Sequence, residues 1–208
     1  MMDTRLTNFS RPSPLYWLRD FAQLSISLVE FRARTATYPN VQQELSDLAQ
    51  RLYALSQPIL VSIDETTGLV SVIPMLQDRW RALQLERPDI TGIIGGTELW
   101  LAAQPAIALN LAADEILRNS LRHAFPERTG HITVTVDHKE DSGAATVRIT
   151  DDGVGALSAT LATSTNGLGL VRELAVQLAA DISIVSAPKS GTVVTFRFST
   201  LHGARQPA

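Results

Sequence analysis

Apolar side chains at Trp17, Phe21, Leu24, Leu28 and Phe31 are spaced by 4, 3, 4 and 3 residues, the rhythm of a heptad seam along one helix edge. Tyr38-Pro39-Asn40 interrupts it. Val41, Leu45, Leu48, Leu52, Leu55 and Ile59 then repeat the rhythm with gaps of 4, 3, 4, 3 and 4. The pattern predicts an antiparallel helical hairpin within residues 14–63. Two helices of this length bury a single layer, so the hairpin calls for a partner surface. A second copy completing a four-helix bundle supplies one, giving a homodimer through residues 14–60. Packing of the hairpin on the rest of the same chain is the competing arrangement.

Beyond Pro58 and the polar run Asp64-Glu65-Thr66-Thr67-Gly68 the pattern changes to alternating strands and helices, so a second unit begins near residue 64. Val70 to Val72 reads as a short strand, and Pro74 suits the first turn of a helix carrying Leu76, Trp80 and Leu83. Strands follow at Ile90 to Ile94 and Thr97 to Leu101. Gln104-Pro105 opens a long helix to about Ala124, and strands at Ile132 to Val136 and Ala145 to Thr150 are joined through 139–143. A helix from Gly169 to Ala179 and strands at Ile182 to Val185 and Thr192 to Phe198 complete the series. The fold class is α+β: a hairpin followed by one sheet covered by helices on one side. Residues 1–13 and 201–208 read as tails.

Composition narrows the function. With 45% hydrophobic residues the 208-residue chain has material for a core, and no apolar run reaches the ~18 residues of a membrane span. The start, Met1-Met2-Asp3-Thr4-Arg5, lacks the order of a secretory signal, so the expectation is a cytoplasmic protein with no membrane insertion. Zero cysteines exclude disulfides, thiolate nucleophiles and cysteine-ligated metals. A net charge of -3 gives no broad basic field, so no nucleic-acid partner is expected. Lys139 and Lys189 are the only lysines, so phosphate contacts from the first two-thirds of the chain must come from arginine or backbone.

Four segments carry candidate chemistry. On the long helix, Glu115, Asn119, Arg122 and His123 fall at i, i+4, i+7 and i+8, one stripe, with Ile107, Leu111, Leu117 and Leu121 available to the sheet. Carboxylate, amide and guanidinium together suit a metal-bound polyphosphate. A solvated face with an Asp114–Arg118 surface ion pair accounts for the same spacing. Asp151-Asp152-Gly153-Val154-Gly155 follows a strand; the glycines admit close backbone approach, and a carboxylate there accepts from an exocyclic amine. An ordinary hairpin turn is the alternative. Asn166-Gly167-Leu168-Gly169-Leu170 opens a helix, where N–H groups and the dipole suit phosphate oxygens. Ser190-Gly191-Thr192 precedes the last strand.

In this order the segments resemble the GHKL ATPase superfamily, specifically the catalytic domain of sensor histidine kinases. LNLAADEILRNSLRHAFP, ending at Pro126, is similar to the N box, and His123-Ala124-Phe125-Pro126 to the ending seen in the branch with HisKA_2 and HWE hairpins. Asp151, Gly153 and Gly155 match the first glycine box, Gly167 and Gly169 the second, and Gly191-Thr192 the terminal Gly-Thr. The resemblance covers residues 66–199 and implies a Bergerat-type α/β sandwich binding ATP and Mg²⁺. It implies that Asn119 ligates Mg²⁺, Glu115 polarises the attacking group, Asp151 reads the adenine amino group, Gly153, Gly155, Gly167 and Gly169 shape the pocket, and Thr192 lies near the base. Arg122 stands where the family often has lysine, replacing a point donor by a fork. Ala156 to Asn166 would be a short nucleotide lid.

One feature of the family is missing. Its hairpin carries an acceptor histidine, but the first histidine here is His123; Leu15 to Asp20 occupies the acceptor segment, with Tyr16 or a neighbour in place of the imidazole. A phenol of pKa about 10 does not replace a ring titrating near ~6.5. His131, His138 and His202 read as surface histidines on a strand, a hairpin loop and the tail. Three functions follow: a kinase-like dimer that binds a receiver domain or partner kinase without phosphorylating itself; an ATP-dependent kinase acting in trans, similar to anti-sigma-factor serine kinases; or an ATP-gated dimeric scaffold.

Overall fold

The computed structural model describes residues 14–156 and 167–200, apart from positions 36, 65 and 127. The expected tails, residues 157–166 of the lid segment and His202 lie outside the described residues. Helices α1 (Pro14–Thr35) and α2 (Pro39–Ser62) occupy the two heptad segments and pack along each other, with Ala33 and Ala49 buried. Pro39 begins α2, where its missing N–H is no loss.

The heptad seam divides between two surroundings. Leu55 and Ile59 are buried, Ile59 within the core of the following unit, while Leu28, Phe31 and Leu48 are 60%, 57% and 45% exposed. The end of α2 therefore packs on the rest of the chain, whereas Leu28, Phe31 and Leu48 keep much of their surface in solvent. Pro58 stands inside α2 and has no N–H for the carbonyl of Ala54. Side chains from the next unit take the carbonyls at this break: Arg79 Nη1 lies 3.5 Å from Ala54 O and Asn110 Nδ2 donates to Leu55 O at 2.8 Å.

After α2, Asp64 Oδ1 accepts from the Thr67 N–H (2.7 Å), the Thr67 hydroxyl (2.9 Å) and the Thr66 N–H (3.0 Å), which hold its pKa below the ordinary value. The chain continues through β1 (Leu69–Ser71), α3 (Val72–Gln84), β2 (Ile90–Gly96), β3 (Trp100–Ala102), α4 (Ala103–Asn119), a π-helical turn (Ser120–Ala124), β4 (Gly130–Lys139), β5 (Ala144–Asp151), α5 (Gly167–Gln177), β6 (Asp181–Ser186) and β7 (Thr192–Ser199). Strands β1 and β3 form an antiparallel pair, and the main sheet runs β2-β4-β5-β7-β6, antiparallel except for β2 beside β4.

Alternation fixes the inner face. Ile132, Val134 and Val136 of β4, Ala145, Val147 and Ile149 of β5, and Val194, Phe196 and Phe198 of β7 are all buried in one cluster with residues of α3, α4 and α5. Asp151 continues the β5 series and so is carried to the same buried face.

Several expectations need correction. The strand foreseen at Thr97 to Leu101 is only Trp100–Ala102, because Gly96 (φ 136) turns the chain out of β2 and Thr97 N–H bonds Val136 O instead. The long helix is not α-helical to Ala124: its last turn is π, so the even stripe holds for Glu115 and Asn119 but not for Arg122 and His123. Ile107 and Leu111 line the side of α4 facing α1 and α2 rather than the sheet. His138 belongs to β4, not to a loop. Asp114 is no surface partner of Arg118: it is 1% exposed, bonded by Arg79 (Nε 2.8 Å, with Nη2 also in contact) and by Arg118 Nε at 3.1 Å. Among the described residues no helix is long and apolar enough to cross a membrane.

Arg79 is itself 1% exposed, so this is a buried ion pair. Arg79→Ala strands part of a buried charge and should lower stability by about 3 kcal/mol in urea titration; a loss below about 1 kcal/mol would mean that solvent or Arg118 already neutralises Asp114.

Candidate functional site

The site is organised by Asp151. Only 4% exposed, its carboxylate accepts from three elements: Ser120 Oγ at 2.8 Å on Oδ2, and the backbone N–H of Gly153 at 3.0 Å and of Thr192 at 3.2 Å on Oδ1. A carboxylate has about four acceptor positions, so one remains on Oδ2. That residual capacity is what an exocyclic amine would use.

Ser120 ends the α-helical part of this segment, its N–H bonded to Ile116 O and Leu117 O, and opens the π turn. An i→i+5 turn inserts one residue relative to α geometry, and the turn begins at Ser120, which is 6% exposed. Its far end is tied down by Arg87, whose guanidinium donates to Leu121 O at 3.0 Å and Phe125 O at 3.4 Å. Asp89 holds that guanidinium at 2.9 and 2.7 Å; the bond raises the Arg87 pKa and lowers that of Asp89.

Two loops interlock beside this carboxylate. Val154 N–H bonds Ala124 O at 2.9 Å, and a methyl on Gly153 would sit 2.4 Å from the Ala124 side chain. Gly191 has φ 69, and a methyl there would lie 1.9 Å from Asp151 O. Only glycine fits both places. Gly155 is confined in the same way, against Ala187 O. Ser186 Oγ accepts from Ala156 N–H at 2.9 Å, lies 2.9 Å from Gly191 O as donor, and is 3.0 Å from Thr192 Oγ1.

The structure thus brings Asp151, Gly153, Gly155, Gly191 and Thr192 into one cluster with Ser120. Glu115 and Asn119 precede it on α4, joined by an Asn119 Nδ2 to Glu115 Oε1 bond of 3.4 Å. Arg122 is exposed on the π turn. Gly167 and Gly169 stand at the start of α5, which packs along α4; a methyl on Gly169 would meet nothing within 4 Å, so packing does not require glycine there. Ser120, Ser186 and Arg87 were missed by the sequence reading. Ser120 directly follows Asn119 and so was within the motif, but nothing local marks its partner 31 residues later.

Glu115 and Asn119 offer oxygen donors of the kind Mg²⁺ prefers. Among the described residues no group of three acidic or histidine side chains is placed to hold a metal by itself, so a Mg²⁺ here would draw most of its shell from phosphate oxygens and water. The donor set fits a metal that arrives with a nucleotide.

Comparison with known proteins bears on the fold. Residues 105–202 match the family described as histidine kinase-, DNA gyrase B-, and HSP90-like ATPase. The chain is similar to the histidine kinase domain of a blue-light activated histidine kinase from Erythrobacter litoralis, at 19% identity, covering 88% of this chain and 97% of that one, with a TM-score of 0.67. A longer structure of that kinase gives 20% identity, 96% and 62% coverage and a TM-score of 0.72. The mycobacterial sensor histidine kinase MprB gives 18% identity, 63% and 95% coverage and a TM-score of 0.53. No curated protein matches the sequence. Residues 105–202 thus match the histidine kinase-, DNA gyrase B-, and HSP90-like ATPase family, and the chain shares its fold with sensor histidine kinase domains.

Removing the Ser120 hydroxyl leaves a buried carboxylate oxygen short of its donor. Ser120→Ala should cost about 2 kcal/mol in thermal or urea unfolding; a change within about 0.5 kcal/mol would show that Asp151 is satisfied without it.

Proposed function

We propose that this chain is a histidine kinase-like signalling protein that binds ATP with Mg²⁺ and regulates two-component signalling in the cytoplasm by docking a response-regulator receiver domain or a partner kinase. It does so without phosphorylating a histidine of its own hairpin. One observation carries the reading: a fully knit Asp151 cluster coexists with a hairpin that has no imidazole, the histidines being His123, His131, His138 and His202. In this reading Asp151 takes the adenine amino group on its remaining acceptor position and Gly153, Gly155, Gly167 and Gly169 line the pocket. Thr192 lies near the base, Asn119 ligates Mg²⁺, Arg122 faces phosphate, and Glu115 polarises an attacking hydroxyl. Bound Mg²⁺ would neutralise phosphate charge there.

The division is a hairpin over 14–63 and an ATP-binding unit over 64–200, with tails of 1–13 and 201–208. Dimerisation through residues 14–60 is supported by Leu28, Phe31 and Leu48, heptad positions that keep about half of their surface in solvent. Two such seams facing each other bury what one chain leaves open. The retained Glu115 beside Asn119 favours a second reading, an ATP-dependent kinase acting in trans on a partner, because a docking module alone has no use for a base.

Calorimetric titration with ATP and Mg²⁺ should give saturable binding in the wild type and at least a tenfold weaker, Mg²⁺-insensitive response in Asn119→Ala, about 1.4 kcal/mol or more. Unchanged affinity would remove Asn119 from the site. With labelled ATP the chain alone should stay unlabelled; label on an added partner would replace the first reading by the second. Phe31→Glu should convert the dimer to monomer by light scattering, and a wild type that is already monomeric would remove the bundle.

A further inference from the structure

Helices cover one face of the main sheet, and among the described residues none packs on the other. Strand register sets the side chains of that open face in level rows. One row runs Ile93, Thr133, Thr150, Val193 and Val185 across β2-β4-β5-β7-β6, and its two ends, Ile93 and Val185, are each 63% exposed. A second row runs Asp137, Thr146, Arg197 and Asp181 across β4-β5-β7-β6, with Arg148 of β5 between the two rows. The four charged side chains are exposed. Among the described residues none of them has an ion-pair partner, although Asp181 stands directly across from Arg197.

This face is complementary to itself. Strand β5 is the middle strand of five, so a two-fold axis laid along it, parallel to the sheet, sets β4 of one copy over β7 of the other and β2 over β6. Rows stay level under that rotation. Asp137 then faces Arg197 of the second copy and Ile93 faces Val185 of the second copy, each pairing made twice. On the axis Thr146 and Thr150 meet their own counterparts, and Arg148 is the single place where like charges meet. An axis laid across the strands brings the Ile93–Val185 row onto the row of charges and loses both pairings. Five strands about 4.8 Å apart and rows about 6.8 Å apart outline about 500 Å² on each copy, or about 1,000 Å² together, the lower limit for a specific contact.

From this register we infer that the open face of the sheet is a self-association surface, taking the same face of a second copy about a two-fold axis along β5, with Asp137 set against Arg197 and Ile93 against Val185. The contact is separate from the hairpin seam and from the Asp151 cluster, and it does not rest on the nucleotide reading. Its small area makes it weak. A chain that also dimerises through its hairpin then carries two different two-fold surfaces, which link dimers into longer assemblies at high local concentration.

Sedimentation velocity on the full chain carrying Phe31→Glu, which removes the hairpin seam, should show monomer–dimer exchange with a midpoint on the order of 100 µM. Asp137→Arg brings like charges together twice and should weaken this exchange at least about tenfold. Adding Arg197→Asp reverses both signs and should return the affinity to within about threefold of the starting protein, while Arg148→Thr should tighten it about threefold or more. Protein that stays monomeric at about 1 mM overturns the inference. A double variant no better than Asp137→Arg alone overturns the Asp137–Arg197 pairing. Because the chain has no cysteine, single thiols report the axis in otherwise unaltered protein. Thr150→Cys, on the axis, should be joined to its own counterpart by a bis-maleimide spanning about 10 Å, the spacing of stacked sheets. Val185→Cys, about 19 Å from its counterpart across four strand spacings, should not. No crosslink at Thr150→Cys, or equal crosslinking of the two, overturns the two-fold along β5.

Discussion

A carboxylate at the buried end of a strand has to find donors, and Asp151 finds them on three separate elements. The π turn after α4 supplies the Ser120 hydroxyl, the loop after β5 supplies the Gly153 N–H, and the first residue of β7 supplies the Thr192 N–H. Period-two alternation brought Asp151 to the helix-covered face in the first place, behind Ala145, Val147 and Ile149. The local backbone then follows from this one charge. Gly153 must be glycine to pass Ala124, and Gly191 must be glycine to pass the Asp151 carbonyl. The two loops beside Asp151 are shaped by what the carboxylate requires of its neighbours.

A second organising feature sits at the other end of α4. The interior proline of α2 has no N–H for Ala54 O, and the unit that follows sets Arg79 beside that carbonyl and Asn110 on the neighbouring Leu55 O. Arg79 is in turn bound to Asp114, which precedes Glu115 on α4. The hairpin and the candidate base are therefore separated by a short series of direct contacts that runs through the buried Arg79–Asp114 pair. Small side chains assist: Ala106, Ala108, Ala112 and Ala113 are buried along α4 and let neighbouring elements approach from several sides.

The regular parts of the molecule were legible in the sequence, because periodicity is a local property. Heptad spacing placed α1 and α2, alternation placed β4, β5 and β7, and the Asp151–Gly153 turn marked residues that the structure brings together with Gly191 and Thr192. What was not legible depends on partners far along the chain. Asp114 with Arg118 four residues on looks like a solvent pair until Arg79 is seen 35 residues earlier. Ser120 is one hydroxyl between Asn119 and Leu121, and no hydrophobic count distinguishes an α turn from a π turn. The split of the heptad seam was equally hidden, since Leu48 and Leu55 occupy equivalent heptad positions and differ only in what lies opposite them.

The contribution of β7 to the Asp151 cluster has a consequence for how the protein comes into being. Its donor is Thr192, which is translated after the helix bearing Ser120 and the strand bearing Asp151. Until β7 is made the carboxylate lacks one of its ligands, and the glycine that lets the chain pass over it is missing as well. A product ending before residue 191 therefore keeps α1, α2 and Asp151 itself while lacking the loop and strand that close around the carboxylate.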